Sequence, residues 1–133
     1  MKTRLPIATI TYNTDEYLQL KLNELIKARI ISLWFYINHK AEDDEKKDHK
    51  HLYIVPAKTI QTDDLCDELI EYNGSDKPLK CLRFVNSKSF SDWFMYVLHD
   101  EGYLLSKGQK RKYHYNRDKF IHRAELRGIN LTY

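Results

Sequence analysis

Residues that would staple or anchor the chain are scarce. Cysteine occurs only at Cys66 and Cys81, too few for a disulfide framework and without the paired spacing of a zinc knuckle, so both read as reduced core thiols. No apolar run approaches the ~18 residues of a membrane span. The opening Met1-Lys2-Thr3-Arg4-Leu5-Pro6 lacks the apolar stretch and cleavage pattern of a signal peptide. A cytoplasmic protein without a membrane partner is therefore expected. Internal repeats and low-complexity segments are also absent. What is present is the composition of one globular domain spanning 1–133: 42% hydrophobic and 31% charged residues, enough apolar material for a single core and no more.

The net charge of +3 hides an uneven distribution. Residues 1–76 hold ten basic and fourteen acidic side chains, residues 77–133 twelve and five, giving −4 and +7. The densest basic stretch, at about 107–123, contains Lys107, Lys110, Arg111, Lys112, Arg117, Lys119 and Arg123, interleaved with Tyr113, His114, Tyr115 and His122. Cationic groups attract phosphates and aromatic rings stack on unpaired bases, so the mixture suits single-stranded nucleic acid. Lys107, Lys110, Arg111, Lys112 and Tyr115 are its candidate DNA-binding residues.

Residues 5–12 are β-branched and aromatic and predict a strand. Asn13 with Glu16 predicts a helix cap, and Leu18, Leu22, Leu25 and Ile26 recur at helical spacing over 14–28. Strands are expected at 30–38, at 49–55 (stopped by Pro56) and at 79–85, with a polar loop at 39–48. A second helix opens at Thr62, carries Leu65, Leu69 and Ile70, and ends at Asn73-Gly74; a third, capped by Ser89 with Asp92, covers about 90–99. This order predicts an α+β fold of ferredoxin-like, split β-α-β type: a mainly antiparallel sheet with helices packed on it.

His49 and His51, two apart on a strand, leave the same face of the sheet. His39 and Glu42 lie where the preceding strand returns antiparallel, so four side chains converge at one end of two neighbouring strands. Three nitrogens and a carboxylate suit Mn²⁺ or another borderline first-row metal, with Mg²⁺ able to serve through water ligands. Asp43 or Asp44, in the same acidic run, could replace Glu42 as the oxygen ligand. On the third helix Phe90, Trp93, Phe94, Val97 and Leu98 form one apolar stripe, and Tyr96 projects about 130° from its centre, on a face with Asp92 and His99. A phenol spared from the core can act as a nucleophile once a metal and a base assist its deprotonation, and His99 is a candidate base.

The ordered set His39-x-x-Glu42, His49-Lys50-His51, Tyr96-Val97-Leu98-His99 and Tyr113-His114-Tyr115 with Asp118 resembles the nuclease domain of rolling-circle plasmid replication initiators. These belong to the superfamily of single-strand DNA endonucleases named for a His-hydrophobic-His motif. The resemblance, from the first strand to about residue 120, implies Tyr96 as catalytic residue and His39, Glu42, His49 and His51 as metal ligands. It implies a sequence-specific, metal-dependent nicking and joining reaction at single-stranded or hairpin origin DNA that initiates rolling-circle replication through a 5′-phosphotyrosine intermediate, with host replication proteins as further partners. Two positions depart from the pattern: Lys50 stands where the family has a bulky apolar residue, and Glu42 where it has aspartate. The length leaves no room for the oligomerisation or helicase-recruiting domain into which such initiators commonly continue, so either an excised nuclease domain or a minimal initiator is expected.

Two rival readings stay open. A non-catalytic nucleic-acid binding module of the same fold needs the sheet aromatics and the basic stretch but neither the histidines nor Tyr96. A phosphodiesterase using activated water needs the histidines but no tyrosine.

Overall fold

The computed structural model describes residues 2–41, 48–62, 64, 65, 81–83, 87–116 and 119–122, with backbone alone at 81–83, 87 and 122. In chain order the described elements are β1 (Lys2–Thr3), β2 (Ile7–Thr11), α1 (Asp15–Lys27), β3 (Ile31–His39), β4 (His49–Pro56), β5 (Ile60–Gln61), β6 (Cys81–Arg83), α2 (Ser87–Val97), α3 (Glu101–Ser106) and β7 (Ile121–His122).

Five strands form one antiparallel sheet in the order β6-β2-β4-β3-β7. Because β2 and β3 each run antiparallel to β4, they are parallel to one another with β4 between them, and α1 makes the crossover. This is the split β-α-β arrangement, so the α+β fold with helices on an antiparallel sheet is as expected. A two-stranded ribbon, β1 with β5, stands beside it.

Each face of the sheet carries its own core. Ile7, Trp34, Tyr36, Leu52 and Ile54 pack against Leu18, Leu22 and Leu25 of α1. Ala8, Phe35, Ile37 and Tyr53 pack against Phe90, Trp93, Phe94, Val97 and Leu98, the stripe anticipated on the last long helix. With helices on both faces, β3 is apolar at consecutive positions from Trp34 to Ile37 rather than alternating. Leu18 and Leu22 are fully buried, and burial of each stabilises the fold by about 2–3 kcal/mol.

Several boundaries differ from the sequence reading. The cap of α1 is Thr14, whose hydroxyl accepts from the Tyr17 N–H at 3.3 Å, whereas Asn13 is buried one residue earlier with its N–H on Thr11 Oγ1. The helix closes with Arg29 in the left-handed region (φ 59°), where the Arg29 and Ile30 N–H groups take the Ile26 and Leu25 carbonyls. β3 extends to His39, so this residue belongs to the strand and pairs with His49 instead of opening the loop. Pro56 closes β4 from within. α2 begins at Ser87, ahead of the expected Ser89 cap, and ends at Val97. α3, capped by Asp100 through the Tyr103 N–H at 2.8 Å, and β7 were not anticipated. The helix expected from Thr62 is helical at residues 62, 64 and 65; its remainder, with Cys66, Leu69, Ile70 and Asn73-Gly74, lies outside the described residues. Among the described residues no helix is long and apolar enough to cross a membrane.

Candidate metal centre

The register of the sheet assembles the site. His39 stands opposite His49, and His51 stands between Ile10 and Ile37, so the three imidazoles share one end of the α2-covered face. Their ligand nitrogens all lie within 4.8 Å of one another. The Nε2 atoms of His49 and His51 are 3.2 Å apart. Two nitrogens bonded to one ion at about 2.1 Å with an angle near 100° reach that separation.

His39 is oriented from behind. Its Nε2 lies 2.5 Å from the carbonyl oxygen of Val97, the last residue of α2, whose helix leaves that carbonyl without an intrahelical partner. A carbonyl can only accept, so Nε2 carries the hydrogen and Nδ1 holds the lone pair of the neutral ring. Metal-binding histidines characteristically donate their second N–H in this way. Tyr115 lies flat on the same imidazole, ring centroids 4.5 Å apart and planes 3° from parallel, and its hydroxyl accepts from the Lys40 N–H at 3.0 Å.

Burial pushes His39 down to about 3, helped by His99, His49 and Arg111 and opposed by the bond to Val97. Burial, with His39, His49 and His99 around it, pushes His51 down to about 2. Both rings are neutral at ordinary pH, the form a metal needs. Three imidazoles whose ligand nitrogens lie this close together fit a borderline first-row divalent ion. Thus His39, His49 and His51 are brought together as expected. Glu42, like Asp43 and Asp44, lies outside the described residues.

Tyr96, half-buried in the last turn of α2, holds its ring 6.3 Å from that of His51 and perpendicular to it. His99 does not continue its helical face. It follows the helix end in the left-handed region (φ 52°), where the His99 N–H binds the Tyr96 carbonyl and the Asp100 N–H the Met95 carbonyl. A non-glycine residue there costs about 1 kcal/mol. The turn carries the His99 ring to within 4.5 Å of His39 and leaves it 6.4 Å from Tyr96, with Nδ1 donating to the Tyr113 carbonyl at 2.7 Å. His114 Nδ1 donates in turn to the His99 carbonyl, and the Tyr115 N–H to that of Leu98. Residues 113–115 are thereby fastened across the end of α2, with Tyr115 on His39.

The basic stretch leads into this fastening. Lys107, Lys110 and Lys112 are exposed and Arg111 is half-buried, near enough for its charge to act on His39. Lys112 and Lys40 flank the Tyr113 ring at 5.3 and 5.9 Å. Arg117, Asp118 and Arg123 lie outside the described residues.

On the opposite face, Lys50 directs its ammonium to Asp15, whose carboxylate also accepts from Tyr36 Oη at 2.7 Å and Asn38 Nδ2 at 3.2 Å. Burial opposes the charge of Asp15, but these two donors and Lys50 together hold its pKa below the usual carboxylate value. Lys50 therefore takes part in a polar tie between α1, β3 and β4. Sequence reasoning missed this tie, the stacking of Tyr115 on His39, and Tyr12, whose ring lies 6.2 Å from His49. The signal for Tyr12 was its alternation with Ile10, which acquires meaning only once β2 is in register with β4.

No protein-family model matches the sequence, and a search of curated proteins finds no match.

Proposed function

We propose that the chain is a metal-dependent, single-strand DNA nicking and joining endonuclease of the rolling-circle initiator kind, with Tyr96 as nucleophile and Mn²⁺ as the ion. The observation that carries this reading is the placement of a phenol 6.3 Å from His51, on a helix whose terminal carbonyl orients a second member of the histidine cluster. A lone tyrosine or a lone histidine pair would carry no such argument.

A divalent ion held by His39, His49 and His51 would draw charge from a phosphate oxygen and make phosphorus more electrophilic. The Tyr96 oxygen attacks phosphorus, the bond to the 3′-oxygen breaks, and a 5′-phosphotyrosine forms. The phenolic proton is lost to solvent or a base, and the departing 3′-oxygen takes one up. One phosphodiester replaces another, so reversal rejoins strands. Lys107, Lys110, Arg111 and Lys112 hold the backbone by charge without reading its sequence.

The test is incubation with mixed-sequence single-stranded oligonucleotides and Mn²⁺, followed by a denaturing gel. A protein band shifted by covalently attached DNA, and lost with chelator, is expected. Cleaved strands without any adduct would assign the chemistry to activated water, and a fully randomised pool left without any cleaved strand or adduct would overturn the endonuclease reading.

A further inference from the structure

Among the described residues, five large apolar side chains are exposed: Leu5, Ile10, Tyr12, Leu20 and Leu105. Leu20 on α1 and Leu105 on α3 are scattered singly, as is normal for a protein surface. Ile10 and Tyr12 differ because they share a face with the metal centre. Across the sheet, Ala8 lies opposite Tyr53, which lies opposite Phe35, and this row is covered by Phe90 and Trp93 of α2. One row on, Ile10 lies opposite His51 and is 41% exposed. One row further, alternation places Tyr12 beside His49, with its ring 6.2 Å away and 43% exposed. Cover from α2 reaches His39 and His51, which are buried, but stops short of this end of β2, which continues beside them as an apolar step open to solvent. Among the described residues β6 pairs only with Ile7–Thr9, so this step also lies beyond the paired part of the sheet's flank.

The two flanks of the centre are unequal. On the β3 side Tyr115 is committed to His39, with a planar stack and a hydroxyl held by the Lys40 N–H. On the β2 side Tyr12 meets His49 at a 59° tilt, which does not lay one ring face on the other.

We infer that Tyr12, supported by Ile10, is a stacking platform for an unpaired nucleobase of the strand whose phosphate lies at the histidine cluster. The inference rests on the DNA reading above. Three observations select a base over another apolar occupant. The platform is continuous with a site whose imidazoles suit a phosphate-binding ion; the charge of Arg111, from the basic stretch, reaches His39 in that same site; and the residue at the outer position is aromatic. Tyrosine supplies a rigid ring with few rotamers to lose, and base–aromatic stacking tolerates any base, which suits a step beside the chemistry.

The test uses the full chain, Tyr12→Ala and Tyr12→Phe, each titrated with a labelled oligothymidylate and with an abasic strand of equal length. Tyr12→Ala should weaken oligothymidylate binding by about 5- to 150-fold while leaving the abasic strand unaffected, and Tyr12→Phe should bind as the unaltered chain does. Circular dichroism of each variant checks the fold, and Tyr12→Phe keeps the comparison available should the alanine variant unfold, since it must retain base-dependent affinity. Equal binding by Tyr12→Ala and the unaltered chain, or an equal loss on both strands, overturns the inference. Failure of the DNA reading is separate: the unaltered chain then binds neither strand and forms no adduct, whereas an adduct-forming chain indifferent to Tyr12 overturns the platform alone.

Discussion

Lys50 Nζ lies 3.8 Å from Asp15 Oδ1, directly behind the histidines that flank Lys50 in β4. Asn38, the register partner of Lys50 and the neighbour of His39, donates to the same carboxylate. One residue in the first turn of α1 thus ties together, from the far face, the two strands that carry all three histidines. Half the Asp15 side chain is exposed, so the ion pair itself contributes little. The hydrogen bonds from Tyr36 and Asn38 contribute more. Asp15→Ala should destabilise the chain by about 1–3 kcal/mol in urea denaturation and weaken Mn²⁺ binding. Lys50→Met, which keeps the buried stem, should cost less than about 1 kcal/mol. If Asp15→Ala left metal affinity unchanged while lowering stability, the tie would be structural only.

Metal binding should depend on the paired histidines. Calorimetric titration of Mn²⁺ into the chain should show one site, absent from the His49→Ala, His51→Ala double variant. Because the folded cluster binds and the unfolded chain lacks it, saturating Mn²⁺ at about 100 times Kd should add about 2.7 kcal/mol of stability. The double variant should gain nothing. Equal binding by both proteins would remove the cluster as the site.

Acid should destabilise the chelated protein over a defined window. In the unfolded chain His39 and His51 take up protons near 6.5, whereas in the folded chain they do so only near about 3 and about 2. Between those limits the unfolded state holds more protons, so stability rises with pH and levels off above about 6.5. Each histidine contributes a slope of up to about 1.4 kcal/mol per pH unit within the window. Urea midpoints between pH 5 and 7 should show this fall, and His51→Ala should remove about half of it. A flat profile across that range would mean that the rings are solvated.

How much of this was legible follows from what each residue depends on. The split β-α-β order, the stripe on α2 and the convergence of His39 with His49 and His51 are set by period and chain order, which a sequence displays. The left-handed turn at His99 was not legible, because a residue that usually avoids positive φ gives no local signal there. Nor was the strap at Tyr113–Tyr115, whose bonds to Leu98 and His99 join segments about 15 residues apart, or the placement of Tyr12 beside His49, which depends on strand register. The tie from Lys50 to Asp15 appeared in the sequence only as a departure from an expected apolar residue.

Neutralising Lys110, Arg111 and Lys112 together should weaken single-strand binding at all sequences and flatten its salt dependence by about 0.7 in log–log slope for each phosphate no longer neutralised. Arg111 differs from its neighbours because its charge reaches His39. Arg111→Gln alone should therefore also tighten Mn²⁺ binding, by removing a like charge, while the lysine changes leave it unaltered. An unchanged salt slope in the triple variant would mean that the stretch does not touch phosphate.

Tyr96, among ten tyrosines, should be the residue that carries the DNA. Proximity alone does not choose it, because Tyr12 lies as close to His49 as Tyr96 does to His51. Attachment does. Tyr96 is in the last turn of an eleven-residue helix packed into the core, whereas Tyr12 is the first residue beyond β2. A nucleophile must be held to within about half an ångström, which a packed helix supplies and a strand end does not. Tyr115 is occupied by His39 and Lys40, and Tyr103 and Tyr113 sit beneath lysine ammoniums. Tyr96→Phe removes one oxygen from a half-buried ring, so stability should change by no more than about 0.5 kcal/mol, and metal and DNA binding should persist. The adduct should vanish. Tyr12→Phe should form it normally, and peptide mapping of the adduct of the unaltered chain should place the nucleotide on Tyr96. A nucleotide mapped to Tyr12 would exchange the roles of platform and nucleophile, which the two phenylalanine variants would then show in reverse.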